Sequence, residues 1–257
     1  MVAPPPKTDS RKRMRTRSVV ALAALLLTTT NYAAGNGFRS CPDAFPGPPP
    51  VIKRSADWKL RELCYDAFAL LHSGKTRTPL FVVEKLTRAS LADADDEERT
   101  NRFFADARLP RLERAHLEDY YRSGFDHGHM APAADMPTAQ AMAQSFSLAN
   151  VVPQAPNNNR RVWAKVERDT RAYVKRSGST VHVFTGPAWQ GHRATIGSSP
   201  VAVPTHVYKL VYDATKNRAW AHWLPNTDEA RLGRPISYEA LTQHLGFELL
   251  PGKRPSP

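Results

Sequence analysis

The stretch Phe125-Asp-His-Gly-His-Met130 places two imidazoles on either side of a glycine, directly behind a carboxylate. Near neutral pH, an imidazole can accept a proton from water or bind a metal ion. The glycine between the two lets the backbone approach a ligand closely. By itself, the motif fits a catalytic base, and it fits a pair of histidines in a surface loop equally well.

Downstream of this motif, a helix is predicted from about Arg160 to Arg176. Asparagines in front of it can cap its first turn. Arginines and lysines cover most of its surface, and its apolar face consists of Trp163, Val166, Thr170 and Val174. The basic side chains fit contacts with phosphate groups, although a solvated helix face has the same composition.

Asn159, Trp163 and Glu167 follow one another at the i, i+4 spacing, which places them along one side of a helix. Arg171 extends the series and can pair with Glu167. Amide and carboxylate oxygens suit Mg²⁺, which keeps several waters and takes further ligands from substrate phosphates. Together with His129, this stripe predicts a base, a hydrated cation and guanidinium groups around one phosphate.

Two motifs thus stand in order along the chain: Ser123-Gly-Phe-Asp-His-Gly-His-Met-Ala-Pro-Ala-Ala-Asp135, then Ser147-Leu-Ala-Asn-Val-Val-Pro-Gln154 with Asn159-x3-Trp163-x3-Glu167-x3-Arg171. They resemble the D-R-G-H signature and the second signature of the DNA/RNA non-specific endonucleases, ββα-metal nucleases of the endonuclease G type. Shorter similarities lie at Val183-Phe-Thr-Gly-Pro187 and Val203-Pro-Thr-His-Val-Tyr-Lys209. The resemblance covers roughly residues 60–250. It implies an α+β fold, with a central antiparallel sheet and a ββα-metal catalytic motif in one domain.

The resemblance also implies a mechanism that depends on one metal ion. His129 would be the general base that activates a water for in-line attack on a phosphodiester. Asn159 would be the direct protein ligand of a single Mg²⁺, or of Mn²⁺ in its place. Glu167 would hold the waters of that metal.

Supporting roles follow from the same resemblance. Asn150 would orient the catalytic histidine or the local backbone, and Asp126 would fix the loop. Arg171 and Arg102 would neutralise phosphate charge as it grows in the transition state. The implied partners are DNA and RNA, with no small-molecule cofactor, and the implied products carry 5′-phosphate ends.

One position departs from the family pattern. Where these enzymes usually carry an arginine in contact with phosphate, this chain has His127, whose imidazole is mostly neutral above about pH 7. We expect His127 to keep a weaker, pH-dependent version of that contact. Two alternatives stay open: a degraded site in an exported protein that only binds nucleic acid, and a zinc site formed by His127 and His129.

Outside the motifs, hydrophobic patterns predict one mixed α/β domain over residues 54–251, with a tail at 252–257. Residues 60–72 fit either a helix or two strands, and we favour the strands. Further strands are predicted at Leu80–Glu84, Phe146–Gln154, Thr180–Thr185, Val203–Asp213 and Arg218–Leu224. Helices are predicted at Arg114–Tyr121, Thr138–Ser145 and Ser237–Leu245, the last ended by Gly246.

The chain is strongly basic, with a formal net charge of +12. Residues 1–34 contribute +5, and the remainder still carries +7. A basic domain favours a polyanionic partner such as nucleic acid, although an anionic membrane surface attracts the same charge.

The first 34 residues resemble an export signal in their order of regions. Basic residues Arg11–Arg17 precede an apolar run, Val19–Leu27, and small residues follow at Ala33–Gly35. This order predicts a signal peptide over residues 1–34 and a periplasmic or secreted protein. If the signal is not cleaved, residues 19–27 would anchor the chain in the inner membrane.

Residues 35–53 are rich in Gly and Pro, which predicts an extended arm rather than packed structure. Cys41 and Cys64 both follow the predicted signal, so in an oxidising compartment they can pair and fasten the arm to the domain. Closing that loop would add about 3 kcal/mol in the chain-entropy model. Two unpaired, buried thiols are the alternative.

Overall fold

The computed structural model describes residues 1–5 and 37–257, and the fold is that of the compact unit Gly35–Pro257. The predicted signal peptide and the possible anchor at residues 19–27 lie almost entirely outside the described residues. In the described part of the chain, no helix has the length and apolar character needed to cross a membrane.

Ten strands and five helices follow one another in the described unit. The strands are β1 (Leu60–Cys64), β2 (Phe68–Ser73), β3 (Thr78–Leu86), β4 (Asp126–His129), β5 (Val151–Gln154), β6 (Val181–Ala188), β7 (Thr195–Ile196), β8 (Val201–Ala202), β9 (His206–Asp213) and β10 (Arg218–Pro225). The helices are α1 (Arg88–Ala94), α2 (Leu117–Tyr120), α3 (Ala139–Ser145), α4 (Ala164–Ser177) and α5 (Tyr238–Leu245).

Six of the strands form a central antiparallel sheet in the order β1-β2-β3-β6-β9-β10. The α+β prediction is therefore confirmed, and residues 60–72 form strands rather than a helix. β4 and β5 pair separately as a two-stranded ribbon, and β7 and β8 form a second one. The β4–β5 ribbon and α4 together make the ββα unit.

Alternating side chains divide the central sheet into two faces. On one face, residues such as Val82 and Val207 pack under the ββα unit with Trp163 and Val166. On the other, Phe81, Phe184, Tyr208 and Leu210 pack against the N-terminal segment and α5. The sheet is thus covered on both sides.

The N-terminal arm packs on the sheet, contrary to the prediction of an unpacked segment. Phe38, Phe45 and Ile52 are buried, and the Phe45 ring centroid lies 6.5 Å from that of Phe81. These apolar side chains are sparse along the sequence, but each covers part of a sheet face that water would otherwise reach. Burying a phenylalanine in this way contributes roughly 1.5–3 kcal/mol.

A disulfide joins the arm to the edge of the sheet. Cys41 and Cys64 are bonded, with their Cα atoms 5.9 Å apart. Of the two alternatives for these cysteines, pairing is confirmed. Because Cys64 lies in β1, the bond fixes the arm to the first strand of the central sheet.

The C-terminal region also joins the domain. α5 is capped by Ser237, whose hydroxyl accepts a hydrogen bond from the Ala240 N–H, and it ends at Gly246 with φ +72°, as predicted. The tail at 252–257 does not stand apart, because the Ala219 N–H donates to the Ser256 carbonyl at 2.9 Å. The tail therefore extends the sheet edge at β10.

Candidate active site

The β4–β5 ribbon carries the two histidines of the opening motif. In its register, His127 lies opposite Pro153 and His129 opposite Val151. Position 128 requires glycine because its backbone passes close to the side chain of the fully buried Gln154. A Cβ at this position would lie 2.6 Å from the Gln154 Cβ. Glycine thus lets the ribbon close over the Gln154 side chain.

Asn150 fixes the backbone that follows His129. Its Oδ1 accepts a hydrogen bond from the Ala131 N–H at 2.9 Å, and its Nδ2 donates to the carbonyls of Ala131 and Ser145, both at 2.9 Å. The Asn150 carbonyl also accepts from the Met130 N–H. A 3-10 turn at Leu148–Asn150 provides this geometry, and for that reason β5 begins at Val151 instead of the predicted Phe146.

His129 is enclosed by aromatic rings. Its ring centroid lies 4.9 Å from that of Phe146, edge to face, and 5.2 Å from that of Phe103. Only 8% of the residue is exposed, and Nε2 is buried without a hydrogen-bond partner in the described part of the chain. Burial, together with the nearby charge of Arg99, lowers the pKa of His129 to about 3. The imidazole is therefore neutral at physiological pH.

His127 occupies the centre of a three-ring stack. Its centroid lies 4.2 Å from that of Tyr120 on one side and 4.4 Å from that of Phe103 on the other. Burial lowers the pKa of His127, while the Asp126 carboxylate opposes the shift. The structure thus holds this ring by stacking, and its contact with phosphate stays a prediction.

The helix of the ββα unit begins with a π-helical turn, Asn158–Trp163, before α4. The asparagines do not cap it as predicted, because their side chains bind other elements. The Asn158 Nδ2 donates to the Pro225 carbonyl at 2.6 Å, and the Asn159 Nδ2 donates to Asp126 Oδ2 at 3.0 Å. Turns of this type are frequent at functional sites.

Asp126 links β4 to this turn. Besides accepting from Asn159, it accepts two hydrogen bonds from Arg160, from Nε at 2.8 Å and from Nη2 at 2.6 Å. These contacts agree with its predicted role in fixing the loop. They also use the Asn159 amide nitrogen, which leaves Oδ1 as the group that Asn159 can offer to a ligand.

The predicted stripe is interrupted at its middle residue. Asn159 and Glu167 are half-buried, whereas Trp163 is fully buried in the core. Trp163 is therefore a packing residue, and its ring centroid lies 5.5 Å from the Lys209 ammonium. The π-helical turn changes the spacing between Asn159 and α4, so a regular i, i+4 series does not describe it.

Glu167 belongs to a cluster of acidic and basic groups beneath the ribbon. Burial raises the pKa of Glu167 to about 7, Lys209 opposes the rise, and Asp135 adds to it. Arg171 does not form the predicted ion pair with Glu167. Its Nη1 binds Asp135 Oδ1 at 2.8 Å instead, because the segment after His129 brings that buried carboxylate against α4.

Two further buried residues, Glu84 and Lys209, complete this cluster. Both lie within apolar strands, so the hydrophobic pattern did not indicate a role for them in the site. Glu84 on β3 is 1% exposed, and both carboxyl oxygens lack a hydrogen-bond partner in the described structure. Burial raises the pKa of Glu84 well above its usual range, and Asp135 adds to the rise. Lys209 on β9 donates from Nζ to Thr185 Oγ1 at 2.8 Å.

Two arginines, Arg99 and Arg102, precede Phe103, whose ring contacts both histidines. The guanidinium of Arg99 lies 5.2 Å from the Phe146 ring centroid, and its charge lowers the pKa of both His129 and Glu167. Sequence reasoning missed Arg99, which stands beside an acidic run without any periodic signal. Arg102 is exposed, and within residues 37–257 its side chain forms no hydrogen bond or ion pair that ties it to the site.

The donor set fits a hydrated divalent cation better than a fully protein-bound one. Among the described residues, no group of three or more His, Cys, Asp or Glu side chains is arranged to hold a metal ion. The free Oδ1 of Asn159 and the half-buried carboxylate of Glu167 are hard oxygen donors. Such donors suit an ion that retains most of its waters.

A central sheet backed by a ββα unit, with a buried histidine on its ribbon, defines the class of ββα-metal nucleases. The sequence profile of the DNA/RNA non-specific endonuclease family matches residues 49–248. The chain belongs to the DNA/RNA non-specific endonuclease family, whose members are hydrolases.

Individual relatives agree with this assignment. The chain is 36% identical over 218 residues to the mitochondrial nuclease of Saccharomyces cerevisiae, covering 74% of this chain and 66% of that protein. It is 36% identical over 157 residues to the mitochondrial endonuclease G of Homo sapiens, covering 57% and 52%. The chain thus spans between half and two thirds of the length of these relatives. The solved structure of EndoG with EndoGI matches with a TM-score of 0.67 and 26% identity, over 79% of this chain and 87% of that one.

Proposed function

We propose that this chain is a divalent-metal-dependent endonuclease that hydrolyses phosphodiester bonds in both DNA and RNA. The observation that carries the proposal is His129, a buried, neutral imidazole on the strand that binds the start of the catalytic helix. Family membership and the basic charge of the domain support the same substrate class.

His129 is the proposed general base. A neutral imidazole can accept a proton from the attacking water, and a positioned base typically contributes about 10²–10⁴-fold to the rate. One ring nitrogen of the neutral imidazole carries a proton, and the other can accept the proton of the water. The hydrogen bonds of Asn150 hold the strand end, so they set the position of the ring.

Asn159 and Glu167 are the residues that would hold the metal, Asn159 directly through Oδ1 and Glu167 through waters. We propose Mg²⁺, with Mn²⁺ as a substitute. A divalent cation bound there would stabilise the charge that develops on the phosphate and on the leaving oxygen. With the 3′ oxygen of the neighbouring nucleotide as the leaving group, the products would carry 5′-phosphate ends. Asp126 keeps the Asn159 amide oriented for this task.

The arginines would bind the phosphate oxygens. Arg171 is held in place by Asp135, and the charge of Arg99 lowers the pKa of both His129 and Glu167. Fixed guanidinium groups stabilise growing negative charge without reorganising in the reaction. Arg102 is free to move towards a bound strand because it is exposed and next to Phe103.

Plasmid nicking in Mg²⁺ and in EDTA tests the proposal. We expect cleavage only with the metal, and a loss of at least about 100-fold in His129→Ala. The matched control is His244→Ala, which removes an exposed histidine that stacks on Trp223 away from the ribbon. Tight DNA retention without metal-dependent cleavage by the wild-type protein would instead support the nucleic-acid-binding alternative.

We also propose that the protein works outside the cytoplasm, in the periplasm or the medium. The Cys41–Cys64 disulfide supports an oxidising compartment, and the order of regions in residues 1–34 supports export. Cell fractionation with an antibody against the domain checks this proposal. Recovery of the protein in the cytosol with both thiols reduced would contradict it.

A further inference from the structure

Three cations converge on the indole ring of Trp58, at the start of β1. The guanidinium carbon of Arg54 lies 5.0 Å from the ring centroid, that of Arg193 lies 5.3 Å away, and the Lys75 ammonium lies 5.5 Å away. The three come from different segments: the residues between the arm and β1, the β2–β3 turn and the loop after β6. We call these four residues the Trp58 cluster.

Acidic groups balance only one of the three charges of this cluster. Lys75 pairs with Asp57, whereas neither arginine has a carboxylate partner within the described residues. Like charges held over one ring repel each other, since they lie within about one Debye length, roughly 10 Å at 0.1 M salt. Each cation–π contact at an exposed site offsets only about 0.5–1 kcal/mol of this cost. An anion placed between the arginines would remove the repulsion.

A series of hydrogen bonds links the β2–β3 turn, which carries Lys75, to the segment beside the candidate active site. The Arg77 Nη1 in the β2–β3 turn donates to the Pro200 carbonyl beside β8 at 3.2 Å. The Ser199 N–H in the β7–β8 turn donates to Asp119 Oδ1 at 2.9 Å. Asp119 precedes Tyr120, whose ring stacks on His127. Trp58 itself packs against the apolar face of the sheet, opposite the ββα unit. A strand bound at the ribbon would therefore reach the cluster only by passing around the end of the sheet at the β2–β3 turn.

We propose that the Trp58 cluster binds the phosphate backbone of a DNA or RNA strand beyond the bond that is cleaved. Phosphate oxygens accept charge-assisted hydrogen bonds from guanidinium groups, and the indole ring holds these groups in place before the strand arrives. The cluster would therefore favour long substrates over short ones, without touching the reacting atoms. This inference rests on the proposed nuclease function.

The test compares a double variant with a charge-matched control. Arg54→Ala/Arg193→Ala removes two charges from the cluster. Lys85→Ala/Arg39→Ala removes two exposed charges near the Cys41–Cys64 disulfide, at the other end of β1 and β3 from Trp58. Binding of a long single-stranded oligonucleotide is measured in EDTA by fluorescence anisotropy over a range of salt concentrations. Cleavage is measured on the same strand and on a nitrophenyl phosphodiester of thymidine, with Mg²⁺.

In the cluster variant, we expect the Kd for the long strand to rise about tenfold. The slope of log K against log salt should fall by about 0.7 for each cation removed. Cleavage of the small ester should be unchanged, and the control variant should bind as the wild type does. Restoring the charges with Arg54→Lys/Arg193→Lys should recover most of the salt slope.

Equal affinity and salt slope in the wild type and the cluster variant would overturn the inference. So would an equal loss in the control variant, or a cluster variant that loses binding only to anionic lipid vesicles. Failure of the proposed function is distinguished by the small ester, which the wild-type protein would then leave uncleaved while the binding comparison still reports on the cluster. Thermal unfolding of each variant checks that the domain is folded.

Discussion

On β3, Phe81 and Glu84 are both buried, yet they face opposite sides of the central sheet. Phe81 packs among Phe38, Phe45 and Phe184, beneath the arm. Glu84 lies under the ββα unit, near Asp135 and Lys209. One face of the sheet is thus almost entirely apolar, and the other contains buried acidic and basic groups below the histidines.

The two faces of the sheet therefore have different roles, one in stability and the other in the proposed reaction. Apolar burial contributes favourably in proportion to the area removed from water. Buried ionisable groups cost desolvation energy, and their mutual attraction seldom exceeds that cost. The apolar face therefore holds the domain together, while the charged face keeps Arg171 and Glu167 in place at the expense of some stability.

Phe81→Ala should give the largest effect. Removing a fully buried ring leaves a cavity in the apolar face and should lower the free energy of unfolding by about 3–5 kcal/mol. Denaturant unfolding measures the loss. Activity per folded molecule should stay close to wild type, because this residue does not touch the ββα unit. A comparable loss of activity per folded molecule would show that the two faces are coupled.

Glu84→Gln, on the other face of the sheet, should instead raise the free energy of unfolding at neutral pH. The raised pKa means that folded Glu84 keeps a proton which the unfolded chain releases above about 4.5, so wild-type stability falls as the pH rises towards the folded pKa. The amide variant does not titrate, so it should be more stable than the wild type at pH 7, by a margin that grows as the pH rises above about 4.5. Unfolding at several pH values measures this. A variant destabilised equally at every pH would indicate that folded Glu84 is charged and paired with Lys209.

His127→Arg should give the smallest effect, an activity gain of roughly fivefold at alkaline pH, if the arginine contacts phosphate. This gain in activity should become smaller in acid, because the wild-type imidazole is then protonated and carries a charge of its own. Since the pKa of His127 is lowered, the protonation occurs below about pH 6.5. His127→Phe is the matched control, since it keeps the stack with Tyr120 and Phe103 without a charge. A gain of equal size at every pH would show that charge at this position is not the cause.

Local patterns predicted much of the secondary structure. The alternation of apolar residues indicated the strands β3, β6, β9 and β10 in approximately their final positions. The predicted cap at Gly246 located the end of α5. The motif around His129 and the series from Asn159 to Arg171 indicated the family. These features can be predicted from the sequence because each depends on residues that are close to one another in the chain.

The sequence by itself determined the family, the fold class and the residues proposed for the reaction. Only the tertiary structure decided how the arm covers the sheet, that Arg171 binds Asp135, and that Arg99 lies near His129. It also placed His127 between two rings and Glu84 beneath the ribbon. The hydrophobic periodicity of a segment predicts which side of a helix or strand is buried, but it does not predict which distant residue packs against that side.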